Sequence, residues 1–466
     1  MSVDLRVRNS ALLVDLYELT MAAGYFERHM DCRATFELFV RHLPRQRAFL
    51  VAAGIESALD YLENLHFTEE DIRFLRGHSA FRAVSDAFFD YLRGFRFTGE
   101  VAAVDEGAVI FEEEPILQVS APIGEAQVVE TYLLSLVNFE TLVATKAARV
   151  VRAAGGRSVL EFGTRRAQGP EAGLRAARAA YLGGCVATSN VLAGQLYGIP
   201  IAGTAAHSWT QAFPTERESF EALLETFPDS AILLIDTYDP LAGAETAASL
   251  GRKIAGVRLD SGDLLEKSRQ VRQILDRHGL TETQIVASGD LNEFRIAELV
   301  RKGAPIDVWG VGTDLATSRD VPALGVVYKL VEIERGGQAE AKTKFSEQKA
   351  YWPGRKQVFR FSENAAAGRR QKYHHDLVAR FDESYSEAEA LLRAVMRDGR
   401  RLEKPRPVEK LRARALANLG CLPEDYFALE GAPHYPVLKS AVLDRMLEEA
   451  RERYVGASAA SESARQ

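Results

Sequence analysis

Between residues 158 and 314 the chain repeats one kind of unit: a short apolar run ending in polar residues, then a segment of helical spacing. The runs are SVLEFGTRR (158–166), CVATSN (185–190), IPIAGTAAHSW (199–209), AILLIDTYD (231–239), IAGVRLDSGD (254–263), QIVASGD (284–290) and DVWGVGTD (307–314). Each starts like a strand buried on both faces. Helical patterns fill the gaps at 171–182, 191–197, 216–226, 241–250, 264–278 and 292–302. Such alternation predicts parallel βα units, in an open doubly wound sheet or a closed barrel. The polar residues favour the closed barrel, because they cluster at the carboxyl end of nearly every run. In a barrel all those ends open on one face, whereas an open sheet concentrates function at one switch point.

The flanks read differently. Residues 34–48 and 94–120 show short strands with turn residues and alternating polarity, which suits antiparallel sheet; Pro122 then opens a helical stretch closed by Gly155 and Gly156. After Val331 hairpin-like pieces return, and 440–454 has helical spacing. The expected organisation is an N-terminal α/β domain (1–130), the barrel (131–330), a segment returning to the N-terminal domain (331–455), and a disordered Ala/Ser-rich tail (456–466). A length of 466 residues accommodates this.

A net charge of -7 argues against a nucleic-acid coat or a basic membrane anchor. The three cysteines, Cys32, Cys185 and Cys421, have neither disulfide-framework nor zinc-site spacing. Asp4, Asp15 and Glu18 interrupt any secretory core, so a cytoplasmic location is expected. Residues 179–215 lack Asp, Glu, Lys and Arg, but their glycines and Pro200 mark buried soluble structure rather than a membrane span.

Five motifs carry chemistry. In GTAAHSW (203–209), His207 is placed as nucleophile or general base, or as a hydrogen-bonded structural histidine. In VRLDSGDL (257–264), Arg258 and Asp260 are two apart on a strand and project to one side, either as an anion clamp with a metal- or ribose-binding carboxylate or as an internal ion pair. ASGDL (287–291) and GVGTDL (310–315) bear glycines at strand ends, where backbone amides can approach a phosphate, though tight βα turns need glycine too. Next to Phe162, whose face can stack a flat ring, one of Arg165 and Arg166 can serve an anionic ligand, the alternative being plain surface arginines. Neither a P-loop nor a dinucleotide fingerprint follows any strand.

Together these strings resemble the nicotinate phosphoribosyltransferase family. LLVDLYELTMAAGYF (12–26) is similar to the family's opening segment, and FGTRRAQGP, TSN, GTAAHSW, LLIDTYD, VRLDSGDL, ASGDL, GVGTDL with YKLVE, and PGRKQVFR (353–360) follow in family order. The resemblance implies an irregular α/β barrel with a second, open-faced antiparallel α/β domain built from both chain ends. It further implies that nicotinate and 5-phosphoribosyl 1-diphosphate are joined to give nicotinate mononucleotide and diphosphate, with Mg²⁺, in NAD biosynthesis. ATP hydrolysis would be coupled through phosphorylated His207. Thr204 would lie at the nicotinate, Arg258 at the carboxylate and phosphate region, and Asp260 on the ribose or metal side. Gly289, Gly312 and Thr313 would sit at phosphates, with Arg165 and Arg166 serving the anions. Phe162, and Tyr17 from a neighbouring subunit, would sandwich the pyridine ring, which implies a homodimer with shared sites. Ser189 stands where nicotinamide-using relatives carry an acid, which favours the carboxylate substrate. Quinolinate-specific relatives are shorter and lack GTAAHSW and PGRKQVFR as a set. One departure is Tyr351 and Trp352, where smaller or aliphatic residues are expected.

Overall fold

A computed structural model describes residues 11–345, 351–363 and 371–463. Six parallel strands form one sheet in the spatial order Ala187–Thr188, Ser158–Glu161, Val308–Val311, Gln284–Ala287, Gly256–Leu259, Ile232–Leu234. Helices follow the strands, including Pro170–Leu182, Val191–Tyr197, Pro240–Ala248, Leu264–Arg277 and Glu293–Arg301. Strand alternation sorts the side chains. Val159, Leu233, Val257, Leu259, Ile285, Trp309 and Val311 join the large core under the helices. Leu160, Ala187, Val286 and Val308 instead bury against one another, with Phe162, Ala202 and Ile232 packed on them as the interior of the curved sheet.

The expected strand at 199–209 is reduced to a single parallel bridge, Thr188 to Ile201. Past Ile201 the run is Ala-Gly-Thr-Ala-Ala, without the β-branched density that holds a strand together. A cavity of about 620 Å³, lined by residues including Thr204, Trp209, Phe227 and Ile232, lies between this loop and the strand Ile232–Leu234. Among the described residues, therefore, the ladder is unbridged at this seam.

The chain ends meet in a second, seven-stranded antiparallel sheet. Its order is Gln338–Ala341, Val326–Arg335, Arg33–Val40, Pro115–Pro122, Glu100–Ala103, Arg393–Arg397, Arg400–Arg401. The PGRKQVFR segment supplies the strand Lys356–Ser362 of a separate four-stranded sheet. Two of its three charges pair internally: Lys356 with buried Glu37 at 2.8 Å, and Arg360 with buried Asp376 at 2.5 Å. Tyr351 donates to the Leu330 carbonyl at 3.0 Å and Trp352 to Asp444 at 3.3 Å, so both departing aromatics fasten this region to its neighbours. The last helix, Ala441–Ser463, continues past Gly456, where a disordered tail was expected; its Ala-rich composition is that of a strong helix former.

The helix Glu130–Ala153 joins the two halves. Leu133, Leu136, Val137 and Leu142 enter the core of the antiparallel half, whereas Val143, Ala144, Ala147 and Val150 enter that of the parallel half. By length and composition the stretch Ile123–Ala153 could cross a membrane, but 67% of its apolar window is buried inside the protein. Its buried Lys146 pairs with Glu293 at 2.5 Å and Asp320 at 2.8 Å, and Asp320 also takes Arg47.

Candidate active site

Polar side chains converge at the carboxyl ends of the parallel strands because the same two-residue alternation that buries Val286 and Leu160 turns the next inward positions toward the mouth. Arg258 occupies the centre. Its Nε donates to Ser288 Oγ at 2.8 Å, Nη1 to Thr204 Oγ1 at 2.6 Å, and Nη2 to Asp260 Oδ1 at 2.6 Å. Ser288, itself buried, donates to the same Asp260 oxygen at 2.5 Å. The backbone N–H of Asp260 donates to Asp236 Oδ2 at 2.7 Å, and so does Ser261 Oγ at 3.0 Å. Burial pushes the Asp260 carboxyl upward, but the Ser288 hydroxyl, the Arg258 guanidinium and His207 outweigh it and hold the group below its ordinary range.

His207 opens the short helix His207–Gln211 instead of ending a strand. Its Nδ1 meets Thr237 Oγ1 at 3.2 Å, and Nε2 lies 3.8 Å from Asp260 Oδ2, beyond hydrogen-bond range. His207, Thr204, Arg258 and Asp260 are thus brought together from segments 54 residues apart at the longest hydrogen bond. Phe162 is half-buried beneath them, and its ring lies on bare Gly310, where an added Cβ would come within 2.7 Å. Gly289 is left-handed (φ +89°), and a Cβ there would come within 1.9 Å of the Asp260 carbonyl oxygen. Its identity is therefore fixed by the close approach of two strand ends.

The remaining expected residues lie around this cluster. Arg165 and Arg166 are exposed in the turn Thr164–Arg166 and have no ion-pair partner among the described residues. Ser189 is exposed, with its N–H on the Glu161 carbonyl at 2.9 Å. Gly312 precedes the four-residue helix Thr313–Ala316 and accepts from Ala316 N–H at 3.0 Å. Tyr17 stands apart on the helix Leu16–Glu27, 44% exposed and hydrogen-bonded to Glu130; among the described residues no contact joins it to the cluster within one chain.

Sequence reasoning gave no site role to Ser288, Asp236, Thr237 or Gly310. The signal is alternation: Asp236 and Ser288 lie four and two residues beyond the interior-facing Ile232 and Val286, and Arg258 lies between Val257 and Leu259, which face the helices. Asp239, Asp263 and Asn190, from the same polar clusters, instead cap helices, accepting from backbone N–H groups at 2.8–3.3 Å. Beneath the mouth, buried Glu161 accepts from Thr188 Oγ1 at 2.5 Å and from Gly163 N–H; burial raises its pKa against both hydrogen bonds.

The arrangement offers one guanidinium, a carboxylate held ionised, an imidazole and an aromatic face at a single opening, suited to anionic and flat ligands. Comparison with known proteins agrees with this. The nicotinate phosphoribosyltransferase (NAPRTase) N-terminal domain model matches residues 12–138, and the NAPRTase family model matches 158–346. A nicotinate phosphoribosyltransferase of Mycobacterium tuberculosis is 43% identical over 453 residues, covering 96% of this chain and 94% of that protein. The nicotinate phosphoribosyltransferase of Bacillus subtilis is 43% identical over 394 residues, covering 82% and 78%. The crystal structure of human nicotinic acid phosphoribosyltransferase superposes with a TM-score of 0.81 at 31% identity, covering 94% of this chain and 100% of that one. On the strength of motif order, site geometry and these likenesses, the chain belongs to the nicotinate phosphoribosyltransferase family of enzymes.

Proposed function

We propose that the enzyme joins nicotinate to 5-phosphoribosyl 1-diphosphate in NAD salvage, giving nicotinate mononucleotide and diphosphate. The ring nitrogen attacks the ribosyl anomeric carbon as the bond to diphosphate breaks, so the electron pair leaves with the diphosphate oxygen and positive charge passes to the pyridinium. What carries this reading is the Arg258–Asp260–Ser288–His207 cluster above Phe162 at one strand-end opening. A departing diphosphate needs fixed cationic stabilisation more than a strong base, and Arg258 is already clamped for that task. Phe162 stacks the ring, Thr204 lies beside it, and Arg165 and Arg166 supply charge for the anionic groups. Ser189, in place of a carboxylate, leaves no like charge to repel nicotinate. Gly289, Gly312 and Thr313 line the approach of phosphate oxygens.

Mg²⁺ fits the donor set. Among the described residues no three or more His, Cys, Asp or Glu gather as a metal cage. Mg²⁺ bound with a diphosphate needs only one or two carboxylates. Asp236 and Asp260 are the residues to hold it, since Asp236 Oδ1 is buried without a hydrogen-bond partner. When bound, the ion neutralises charge on the leaving diphosphate.

ATP coupling runs through His207: the γ-phosphoryl passes to an imidazole nitrogen as ADP leaves, and water later cleaves the P–N bond to release phosphate. Thr237 orients the ring at Nδ1, and the phosphoryl charge beside Asp260 and Arg258 alters the affinity for diphosphate. A homodimer with shared sites is supported by an exposed apolar face of Leu13, Leu16, Tyr17 and Met21, from which Tyr17 would reach a partner's Phe162.

The test is incubation with nicotinate, 5-phosphoribosyl 1-diphosphate and Mg²⁺, with and without ATP, and with nicotinamide and quinolinate as competitors. Formation of nicotinate mononucleotide is expected; none under either condition overturns the reading. His207→Ala should lose ATP stimulation and acid-labile enzyme phosphate, and retention of that phosphate refutes the histidine assignment.

A further inference from the structure

Two motifs that look independent in the sequence, FGTRR and TSN, are tied together by one buried acid. Glu161 ends the strand Ser158–Glu161 with no exposed surface, and no cation pairs with it among the described residues. Its Oε2 accepts from Thr188 Oγ1 at 2.5 Å and Oε1 from Gly163 N–H, while its carbonyl takes Ser189 N–H at 2.9 Å. Thr188 Oγ1 in turn accepts from Asn190 N–H at 3.0 Å, and Asn190 Nδ2 donates to Thr164 Oγ1 at 3.1 Å. The circuit fixes the turn carrying Arg165, and the Phe162 backbone before it, against the segment carrying Ser189. A carboxyl buried without a cation is costly, and a well-packed apolar residue would serve stability at least as well.

We propose that Glu161 is a positioning residue that sets the spacing between Phe162 and Arg165 on one side and Ser189 on the other, and thereby nicotinate affinity and the preference for acid over amide. The inference rests on the assignment of Phe162 and Ser189 to the pyridine substrate and takes the nicotinate carboxylate as the anion that Arg165 serves. It uses neither the diphosphate cluster nor His207, so a perturbation of Glu161 acts on one substrate and spares the other.

Glu161→Gln keeps the size of the side chain, an acceptor for Gly163 and a polar group opposite Thr188. Glu161→Ala removes both contacts, and Thr188→Val removes only the hydroxyl. KM is measured for each substrate separately, with nicotinate binding by calorimetry and a thermal melt for each variant. Glu161→Ala and Thr188→Val should raise KM and Kd for nicotinate about tenfold. KM for 5-phosphoribosyl 1-diphosphate should stay within about twofold, and the nicotinate-to-nicotinamide ratio of kcat/KM should fall. Glu161→Gln and Thr188→Ser should restore most of the nicotinate affinity. If both KM values move together, if neither moves, or if Glu161→Gln is as impaired as Glu161→Ala, the proposal is wrong. Should Glu161→Ala fail to fold, the Thr188→Val and Thr188→Ser pair decides by the same readouts. A parent enzyme that makes no nicotinate mononucleotide contradicts the functional reading itself, whereas an active parent with indifferent variants contradicts only this inference.

Discussion

Ser288→Ala tests the centre of the site with the loss of one atom. The Ser288 hydroxyl accepts from Arg258 Nε at 2.8 Å and donates to Asp260 Oδ1 at 2.5 Å. Each hydrogen bond to a charged group contributes about 1.5–3 kcal/mol net. Arg258 keeps its bonds to Thr204 and Asp260, and the Asp260 side chain is 25% exposed, so water recovers part of the loss. About 2 kcal/mol of anion positioning should disappear, or roughly thirtyfold in kcat/KM for 5-phosphoribosyl 1-diphosphate. A pH signature accompanies it. Asp260 is depressed in the folded protein, so its stabilising contribution is present above the ordinary aspartate value of about 3.9 and is lost as pH falls through the lower folded value. Without Ser288 that folded value rises, and the acid limb of the activity profile moves to higher pH. The assay is initial rate against substrate across the acid range, with a thermal melt alongside. An unchanged kcat/KM with an unmoved acid limb in a normally folded variant would refute the reasoning.

Two further perturbations probe the scaffold. Gly289→Ala forces a Cβ to within 1.9 Å of the Asp260 carbonyl oxygen at a φ of +89°; the backbone strain alone costs about 1–3 kcal/mol, so calorimetry should show a lowered Tm and assays a larger loss of activity, and parental behaviour in both would show that the turn tolerates a side chain. Glu18 is pushed up to about 7, chiefly by burial, with Glu130 and Asp15 adding to it against the Thr131 hydrogen bonds. A raised acid loses stability as pH climbs from its unfolded value to its folded one, so Glu18→Gln should raise Tm at about pH 8 and leave it unchanged at about pH 5; equal Tm values at both would contradict the assignment.

Structure is legible in this chain where its signal is local and not where it depends on geometry over distance. Apolar runs at 158–161, 256–259, 284–287 and 308–311 are strands in the structure, since buried aliphatic residues between glycine-marked turns have few alternatives. The run at 199–209 misled because its opening Ile-Pro-Ile looks like a strand, yet the small residues after it leave the backbone unladdered. Polar residues at strand ends stand out in the sequence as a group, but their pattern does not sort them: Asp260 faces the mouth, whereas Asp263, three residues on, caps the helix Leu264–Arg277. The sorting depends on where each strand stops, which is a property of its neighbours' hydrogen bonds.

The sequence by itself determined the βα repeat, the antiparallel character of both flanks and the residue types available for anion chemistry, because periods of 2 and 3.6 are written within a few residues of one another. Only the tertiary structure decided that Thr204, His207, Asp236, Arg258 and Ser288 share one mouth, that Glu161 spans 27 residues to Thr188, and that strand Arg33–Val40 pairs with Val326–Arg335. Those pairings follow from which faces can be buried together once the sheets curve, and that burial is a property of the whole chain rather than of any segment.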